Sequence, residues 1–467
     1  MGPPKAVRGI SQEAFDELVK ENMEDLDMDP AEALQDAIQT LSLQGVDLSG
    51  IVKCVPGENS VSDNPLIQSL ERLKQLDLNS KDRIGNEDLN EVVGLFDKII
   101  ELCGSDGSGN AAIATKNGGV ELVCSVCCKI RIRTQSNLAL VSGLKTMALF
   151  VHDVQSTETF RKSGGPATVV GILKDGIEDL EILNSGFAVV AASSTGNEVV
   201  KEAYMELKID ELVLDVLSRQ RNASVQSLYD AICVLLTSDD NRVVASQVYG
   251  YARRFAKTGI ARALAHSLQA GLSSPSLAAA SIALKAVAVN DEICVSIAES
   301  GGIDALLRCI DDSGEQGNKT IAKTCCSLLC KLAGSDSNKS SIVEKGGLDR
   351  LIKLCARFSD DPSVLQEVMS IITVLSLRSP YNASRAMEAG AGDLAIQAMQ
   401  NFPSVLQLQR NSCFMIRNLV VRNPENRTLL LSNGIEKLIR QAKENHQSCK
   451  AAATDALRDL GLDDYNK

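Results

Sequence analysis

The chain has 467 residues, of which 44% are hydrophobic, and its formal net charge is −12 with no tryptophan. No apolar stretch reaches 18 residues without a charge, because Lys285 interrupts even the long run 276–289, and this argues against a membrane span. The acidic balance, without a basic stripe, also argues against binding to nucleic acid or a membrane surface.

The N-terminal region is the most acidic part of the sequence. Residues 11–36 hold ten carboxylates against the single Lys20. Ser11 is placed to cap a helix that runs to about Glu24, and Asp29-Pro30 begins a second helix that Gly45 ends. We therefore expect an acidic helical segment over residues 1–53.

Residues 54–64 are rich in turn-forming types and predict a linker. Helices near 65–77 and 87–103 are expected to cap the N-terminal end of a repeat domain, so residues 65–110 are interpreted as a capping region. The repeat domain itself is expected over residues 111–467.

That domain is organised around Gly301-Gly302-Ile303-Asp304, a pattern that recurs along the chain. Measured at the first glycine or its equivalent, the positions are 118, 164, 207, 258, 301, 346, 390 and 433, separated by 46, 43, 51, 43, 45, 44 and 43 residues. A period in the low to middle forties predicts a helical solenoid, in which each repeat packs against its neighbours.

Each repeat predicts one short helix and two longer ones. The glycine ends the short helix. An acidic residue such as Asp304 lies in the first turn of the next helix, where its negative charge interacts favourably with the helix dipole. An asparagine recurs near the start of each short helix and is expected to cap it, at 197, 241, 290, 338, 382 and 426.

These repeats resemble those of the armadillo family. Residues 409–420, which include Arg417-Asn418-Leu419, resemble the third helix of an armadillo repeat, and the resemblance extends over roughly residues 100–461. Residues 10–16, 44–53, 239–243 and 456–461 resemble one branch of that family. The resemblance implies an all-α armadillo solenoid, a right-handed superhelix, with a protein-binding role and no assigned catalytic activity.

Signals for chemistry are weak. Cys124, Cys127 and Cys128 share one helix face, as do Cys326 and Cys330, but the three histidines are far apart, so core packing is a better interpretation than zinc binding. Residues 107–112 and 317–320 faintly resemble nucleotide loops without the strand that such loops follow. We expect no enzyme activity, no metal and no cofactor.

The expected binding residues lie on the third helices and in one irregular repeat. Lys285, Lys331, Arg417 and Asn418 predict a mildly basic groove on the concave side. We hypothesise that it receives an acidic partner segment, or the chain's own residues 11–36 as a lid, which deletion of residues 1–53 would test.

The step of 51 residues places extra sequence at 239–257. It contains four side chains of types common in binding sites, namely Tyr249, Tyr251, Arg253 and Arg254. This insertion is either a binding loop or a longer helix that packs on its neighbour.

The sequence therefore predicts a monomeric scaffold or adaptor that binds protein partners. The alternative is a nuclear-transport adaptor that recognises basic peptides; such armadillo proteins are known to use tryptophans and an asparagine ladder. Here tryptophan is absent, and the positions matching Asn418 hold Val234, Ala286, Lys331 and Val374. Fourteen cysteines without a disulfide framework and no apolar leader predict a reducing compartment, the cytoplasm or nucleus.

Overall fold

The computed structural model describes residues 8–57, 61–79, 86–104, 109–131, 137–220, 225–239 and 245–462, with the backbone alone at 8, 78, 79, 86, 87 and 245–249. The chain forms two compact units. One comprises residues up to 212 together with 238–243, and the other comprises 213–237 and the chain from 244 onward. Within the described ranges, no helix combines the length and apolar character needed to cross a membrane.

The N-terminal segment is a helical hairpin with a short strand pairing. Its elements are β1 (Arg8–Gly9), α1 (Gln12–Glu24), α2 (Pro30–Leu43) and β2 (Val46–Asp47). Ser11 caps α1 and Asp29 caps α2, as the sequence predicts. The parallel pairing of β1 with β2 was not predicted.

This hairpin has its own apolar core. The side chains of Phe15, Val19, Ala33 and Ala37 are fully buried between α1 and α2. The Gln12 amide fastens the loop after β2, because it donates to the Val52 carbonyl at 2.9 Å and accepts from the Val52 N–H at 2.8 Å. The acidic segment is therefore a folded element rather than a charged tail.

The hairpin contacts the first repeat of its own unit through residues 49–50. A Cβ on Gly109 would lie 2.9 Å from the Ser49 carbonyl oxygen, and a Cβ on Gly50 would lie 2.4 Å from Lys116 Cδ. Close approach to backbone thus requires glycine at Gly109, just before helix α5 (Asn110–Lys116), whereas the flexible end of Lys116 could move away from a Cβ at position 50. The idea that residues 11–36 form a lid stays a hypothesis.

The two capping helices, α3 (Pro65–Asn79) and α4 (Asn86–Gly104), lie where the sequence predicts them. The repeats come next, as triplets of a first, second and third helix. The first three are α5 with α6 (Gly119–Arg131) and α7 (Asn137–Phe150); α8 (Val154–Lys162), α9 (Gly165–Asp175) and α10 (Leu180–Ser194); and α11 (Glu198–Glu206), α12 (Ile209–Arg219) and α13 (Gln226–Leu235).

Five further triplets complete the described chain. They are α14 (Ala245–Thr258), α15 (Ile260–Ser267) and α16 (Leu277–Val287); α17 (Asp291–Glu299), α18 (Gly302–Gln316) and α19 (Lys319–Leu332); α20 (Asp336–Glu344), α21 (Gly347–Arg357) and α22 (Pro362–Ser376); α23 (Pro380–Ala389), α24 (Ala391–Asn401) and α25 (Leu406–Val420); and α26 (Pro424–Ser432), α27 (Ile435–Asn445) and α28 (Lys450–Asp459). The predicted all-α solenoid of eight repeats is confirmed.

The turn between the first and second helix explains the glycine pattern. One residue at each turn adopts a positive φ, at Gly118, Gly164, Lys208, Gly259, Gly301, Gly346, Gly390 and Gly434. The predicted positions 207, 258 and 433 were therefore one residue early. At Gly347 the reason is different, because a Cβ there would lie 2.6 Å from the Ile342 carbonyl oxygen.

The recurring asparagines have two different structural roles. Asn197 and Asn290 cap α11 and α17, as predicted. The prediction was wrong for Asn338, Asn382 and Asn426, which lie inside the first turn after Ser335, Ser379 and Asn423. Their buried amides donate instead to main-chain carbonyls of preceding helices; Asn338 Nδ2, for example, is 3.0 Å from both the Cys294 and Leu332 oxygens. Asn241 lies outside the described residues.

Candidate protein-binding surface

The third helices of the second unit stack in order, with α13, α16, α19, α22, α25 and α28 each packing on the next. Every one has a repeating pattern in which two residues near its C-terminal end stay at least partly exposed between buried ones. These pairs form what we call the third-helix surface: Cys233–Val234, Lys285–Ala286, Cys330–Lys331, Thr373–Val374, Arg417–Asn418 and Arg458–Asp459.

Lys285, Lys331 and Arg458 are exposed cations of this surface, and Arg458 pairs with Asp455 and Asp459. Lys285 Nζ donates to Ser327 Oγ on the next third helix at 2.7 Å. Among the residues that the structure describes, no carboxylate lies within ion-pair distance of either lysine. Their positive charge is therefore open to an external anion.

Glu367 is an acidic residue near these lysines. Burial raises the pKa of the Cys330 thiol to about 11; Glu367 raises it further, while Lys285 and Lys331 lower it. All three charged side chains are therefore close to one thiol between α16, α19 and α22. Lys285, Lys331 and Glu367 thus lie near one another, and Glu367 partly offsets the positive charge of the two lysines.

Arg417 and Asn418 bind within the protein itself. The Arg417 guanidinium pairs with Asp455 at 3.1 Å and Asp459 at 3.2 Å, both on α28. Asn418 Nδ2 donates to the Thr373 carbonyl on α22 at 2.8 Å. These two predicted binding residues thus fasten neighbouring third helices, whatever else they contact.

The positions that the sequence predicts as equivalent to Asn418 are equivalent in the structure. Val234, Ala286, Lys331, Val374 and Asn418 occupy the same place on successive third helices, each followed by a buried apolar residue. Four of the five lack an amide that could bond an extended peptide backbone. A ladder of the kind used for basic peptides is therefore missing from these helices.

Ile282 is a surface residue that was not predicted from the sequence. It is 50% exposed on α16, an unusual exposure for isoleucine in this fold. Its position three residues before Lys285 places both on one helix face, and this spacing was the signal that could have found it. An apolar contact thus lies beside the cationic one.

The irregular repeat contains a longer helix over its described part. Residues 245–258 form α14, with 14 residues where α17, α20 and α26 have nine. Phe255 is buried, Tyr251 and Arg254 are half-buried, and Arg253 is exposed. Only the backbone is described at Tyr249, and residues 240–244 lie outside the described ranges. Over its described residues the insertion is helical, as the longer-helix alternative predicts, and whether it binds a partner stays a prediction.

The described residues contain no group of three or more His, Cys, Asp or Glu side chains arranged to hold a metal. Burial raises the pKa of the Cys124 thiol to about 12. The segment 317–320 is a helix-to-helix turn, in which Gly317 ends α18 and Asn318 caps α19. Residues 107 and 108 of the other weak nucleotide motif are not described.

This arrangement of stacked triplets, with a partly polar row on the third helices, defines an armadillo-repeat fold, a class of generally non-catalytic protein-binding scaffolds. A family model described as the GAC ARM domain matches residues 141–460, and one described as the Armadillo repeat-containing protein 6 N-terminal domain matches residues 7–70. The chain belongs to the armadillo-repeat family.

The curated relatives have the same family name. The chain is 26% identical over 385 residues to Armadillo repeat-containing protein 6 of Homo sapiens, covering 80% of this chain and 75% of that protein. It is 24% identical over 388 residues to the Drosophila melanogaster homolog, with 82% and 80% covered. The branch that residues 10–16 and 44–53 resemble is this one.

Solved structures agree on the fold. An engineered protein from the Northeast Structural Genomics Consortium superposes with a TM-score of 0.68 at 16% identity, covering 96% of this chain and 98% of that one. A chain from a study of the phosphorylation switch that controls the interaction between cadherin and beta-catenin gives 0.59 at 12% identity, with 86% and 79% covered.

Proposed function

We propose that this chain is a non-catalytic scaffold or adaptor that binds acidic segments of partner proteins on the third-helix surface of its second unit. The observation that supports this most directly is the pair of exposed lysines, Lys285 and Lys331, on stacked helices one repeat apart. A solvated cation without an internal acidic partner loses little when it binds an external carboxylate.

The neighbouring side chains add a second component. Ile282 offers an exposed apolar contact on the same face as Lys285. An acidic segment with an apolar residue between its carboxylates would match both features. Arg417 is a weaker contributor, because Asp455 and Asp459 already neutralise it.

Basic peptides are a poorer match for this surface. Binding them would place their lysines and arginines beside Lys285 and Lys331, and like charges in contact oppose association. The amide of Asn418 that could receive a peptide carbonyl already donates to Thr373. The transport-adaptor alternative therefore has no observation that favours it.

The test is affinity capture from native lysate with the full chain as bait. The variant Lys285→Glu/Lys331→Glu is compared with Arg308→Glu/Lys437→Glu, which changes the net charge equally at exposed second-helix positions. We expect the first variant to lose specific partners and the second to retain them, with both folded by circular dichroism. Equal retention by both variants would exclude the third-helix surface as the binding site.

A further inference from the structure

The second unit contains a cavity of about 810 Å³ on its second-helix side. It is lined by the last turns of α12, by Tyr229 of α13, by α15, and by the residues that follow α15 up to Pro275. All of its lining residues belong to the second unit. Its volume falls within the roughly 300–1,000 Å³ range of ligand-binding pockets.

The cavity lies where the second helix, α15, is short. This helix has eight residues, whereas α18 has 15 and α21 has 11. The chain continues as a 3₁₀ helix, Leu268–Ser273, in which Gly271 adopts φ 61° and ψ −151°. Side chains are essentially excluded from that conformation, so a glycine is needed to turn the chain away.

The described lining contains both apolar and cationic side chains. Leu214 and Leu217 of α12 and Ala263 of α15 supply apolar groups. Arg262 and His266 are exposed one turn apart on α15. No carboxylate is among the described lining residues, and none in the described part of the chain lies within ion-pair distance of Arg262 or His266.

Asp215, which is next to Leu214 on α12, already forms an ion pair on its own helix. Asp215 accepts from Arg219 Nε at 2.7 Å on its own helix. The amide of Gln269 also lines the cavity, and it can donate to and accept from a peptide backbone. The described part of the site thus combines apolar groups, a side-chain amide and an arginine without an ion-paired carboxylate.

We propose that this cavity is a second docking site, which takes a short partner peptide with an apolar side chain next to a carboxylate. The apolar group would fill the space between Leu214, Leu217 and Ala263. The carboxylate would bind Arg262, since an arginine fork suits a carboxylate geometrically. The site is separate from the third-helix surface and does not depend on it.

The test uses three synthetic ten-residue peptides and fluorescence polarisation on the full chain. One combines leucine with glutamate, one replaces glutamate by lysine, and one replaces leucine by serine. We expect the first to bind at least about tenfold more tightly than either of the others. Equal binding of all three, or no binding, would overturn the proposal.

Variants locate the binding. Arg262→Glu should weaken binding of the leucine–glutamate peptide about tenfold or more. Ala263→Leu should also weaken its binding, because the larger side chain fills the space beside Leu214 and Leu217. Arg308→Glu, an exposed second-helix change on α18, should leave the affinity within about twofold. If Arg262→Glu has no more effect than Arg308→Glu, the site is elsewhere.

Competition with inorganic phosphate distinguishes a peptide-binding site from a site for a simple anion. If phosphate displaces the peptide in an Arg262-dependent way and the serine–glutamate peptide binds equally well, the cavity takes a simple anion and the peptide proposal fails. If phosphate competes weakly and the apolar side chain is required, the proposal stands.

Discussion

The substitution Asn338→Asp tests whether the Asn338 side chain donates hydrogen bonds or caps α20. An asparagine at a helix start can accept a hydrogen bond as a cap, or it can donate. A cap tolerates aspartate, because aspartate caps as well as asparagine and its charge suits the helix dipole. A donor cannot be replaced by aspartate, because a carboxylate has no N–H to give.

The two roles occur in one chain and so provide a matched pair. Asn338 is 3% exposed, and its amide donates to the Cys294 and Leu332 carbonyls, both at 3.0 Å. Asn290 accepts from the Ile293 N–H at 2.9 Å at the start of α17. Asn338→Asp and Asn290→Asp are the same chemical change with opposite expected outcomes.

The magnitude is set by the lost bonds. Asn338→Asp removes two hydrogen bonds of about 0.5–1.5 kcal/mol each and sets a buried carboxylate against two carbonyl oxygens. The helix N-terminus recovers about 0.3–1 kcal/mol. We expect a net loss of about 2–4 kcal/mol of unfolding free energy for Asn338→Asp, and a change within about 0.5 kcal/mol for Asn290→Asp.

Urea unfolding followed by circular dichroism measures the loss, and hydrogen exchange localises it. Protection should fall in α17, α19 and α20, which the Asn338 amide joins. If Asn338→Asp is tolerated as well as Asn290→Asp, then Asn338 acts as a cap and the reasoning is refuted.

Three further predictions concern individual contacts. Arg417→Ala should cost about 1 kcal/mol and loosen α28 in hydrogen exchange, because its partners are partly exposed; unchanged protection of α28 would contradict this. Gly347→Ala should cost about 1–3 kcal/mol of unfolding free energy, because the new Cβ would lie too close to a backbone oxygen. Gly94→Ala, which has open space around it, should stabilise the protein by about 0.5–1 kcal/mol in thermal unfolding. Equal effects of the two substitutions would refute the packing argument. The hydroxyl of Ser363, with help from Lys319, lowers the pKa of Asp361 below its ordinary 3.8. The stabilisation that the Asp361 carboxylate provides is therefore lost as the pH falls below that value. In acid unfolding, the Asp361→Asn variant should lose less unfolding free energy than the unsubstituted chain between about pH 4 and pH 2.

The repeat architecture could be predicted from the sequence because its signals are local. A glycine with positive φ recurs near every first-to-second helix turn, except where Lys208 replaces it. The third-helix register could also be predicted, since Val234, Ala286 and Lys331 occupy equivalent places. Both depend on helical periodicity, which is independent of how the repeats pack.

The partners of the candidate site could not be predicted in the same way. Arg417 pairs with residues 38 and 42 positions later, which are adjacent only after the repeats stack. Likewise, Asn338 can be recognised as a donor only once Ser335 is known to precede the helix. The chain beside the cavity also contains a glycine conformation, at Gly271, that the sequence does not reveal.

The most direct test of partner binding on the third-helix surface is photo-crosslinking from that surface. The full chain carries p-benzoylphenylalanine at position 282, beside Lys285, or at the control position 308 on α18. We predict protein adducts in native lysate from position 282 that Lys285→Glu/Lys331→Glu abolishes, and few from position 308. Adducts from position 308 but not from position 282 would contradict binding on the third-helix surface.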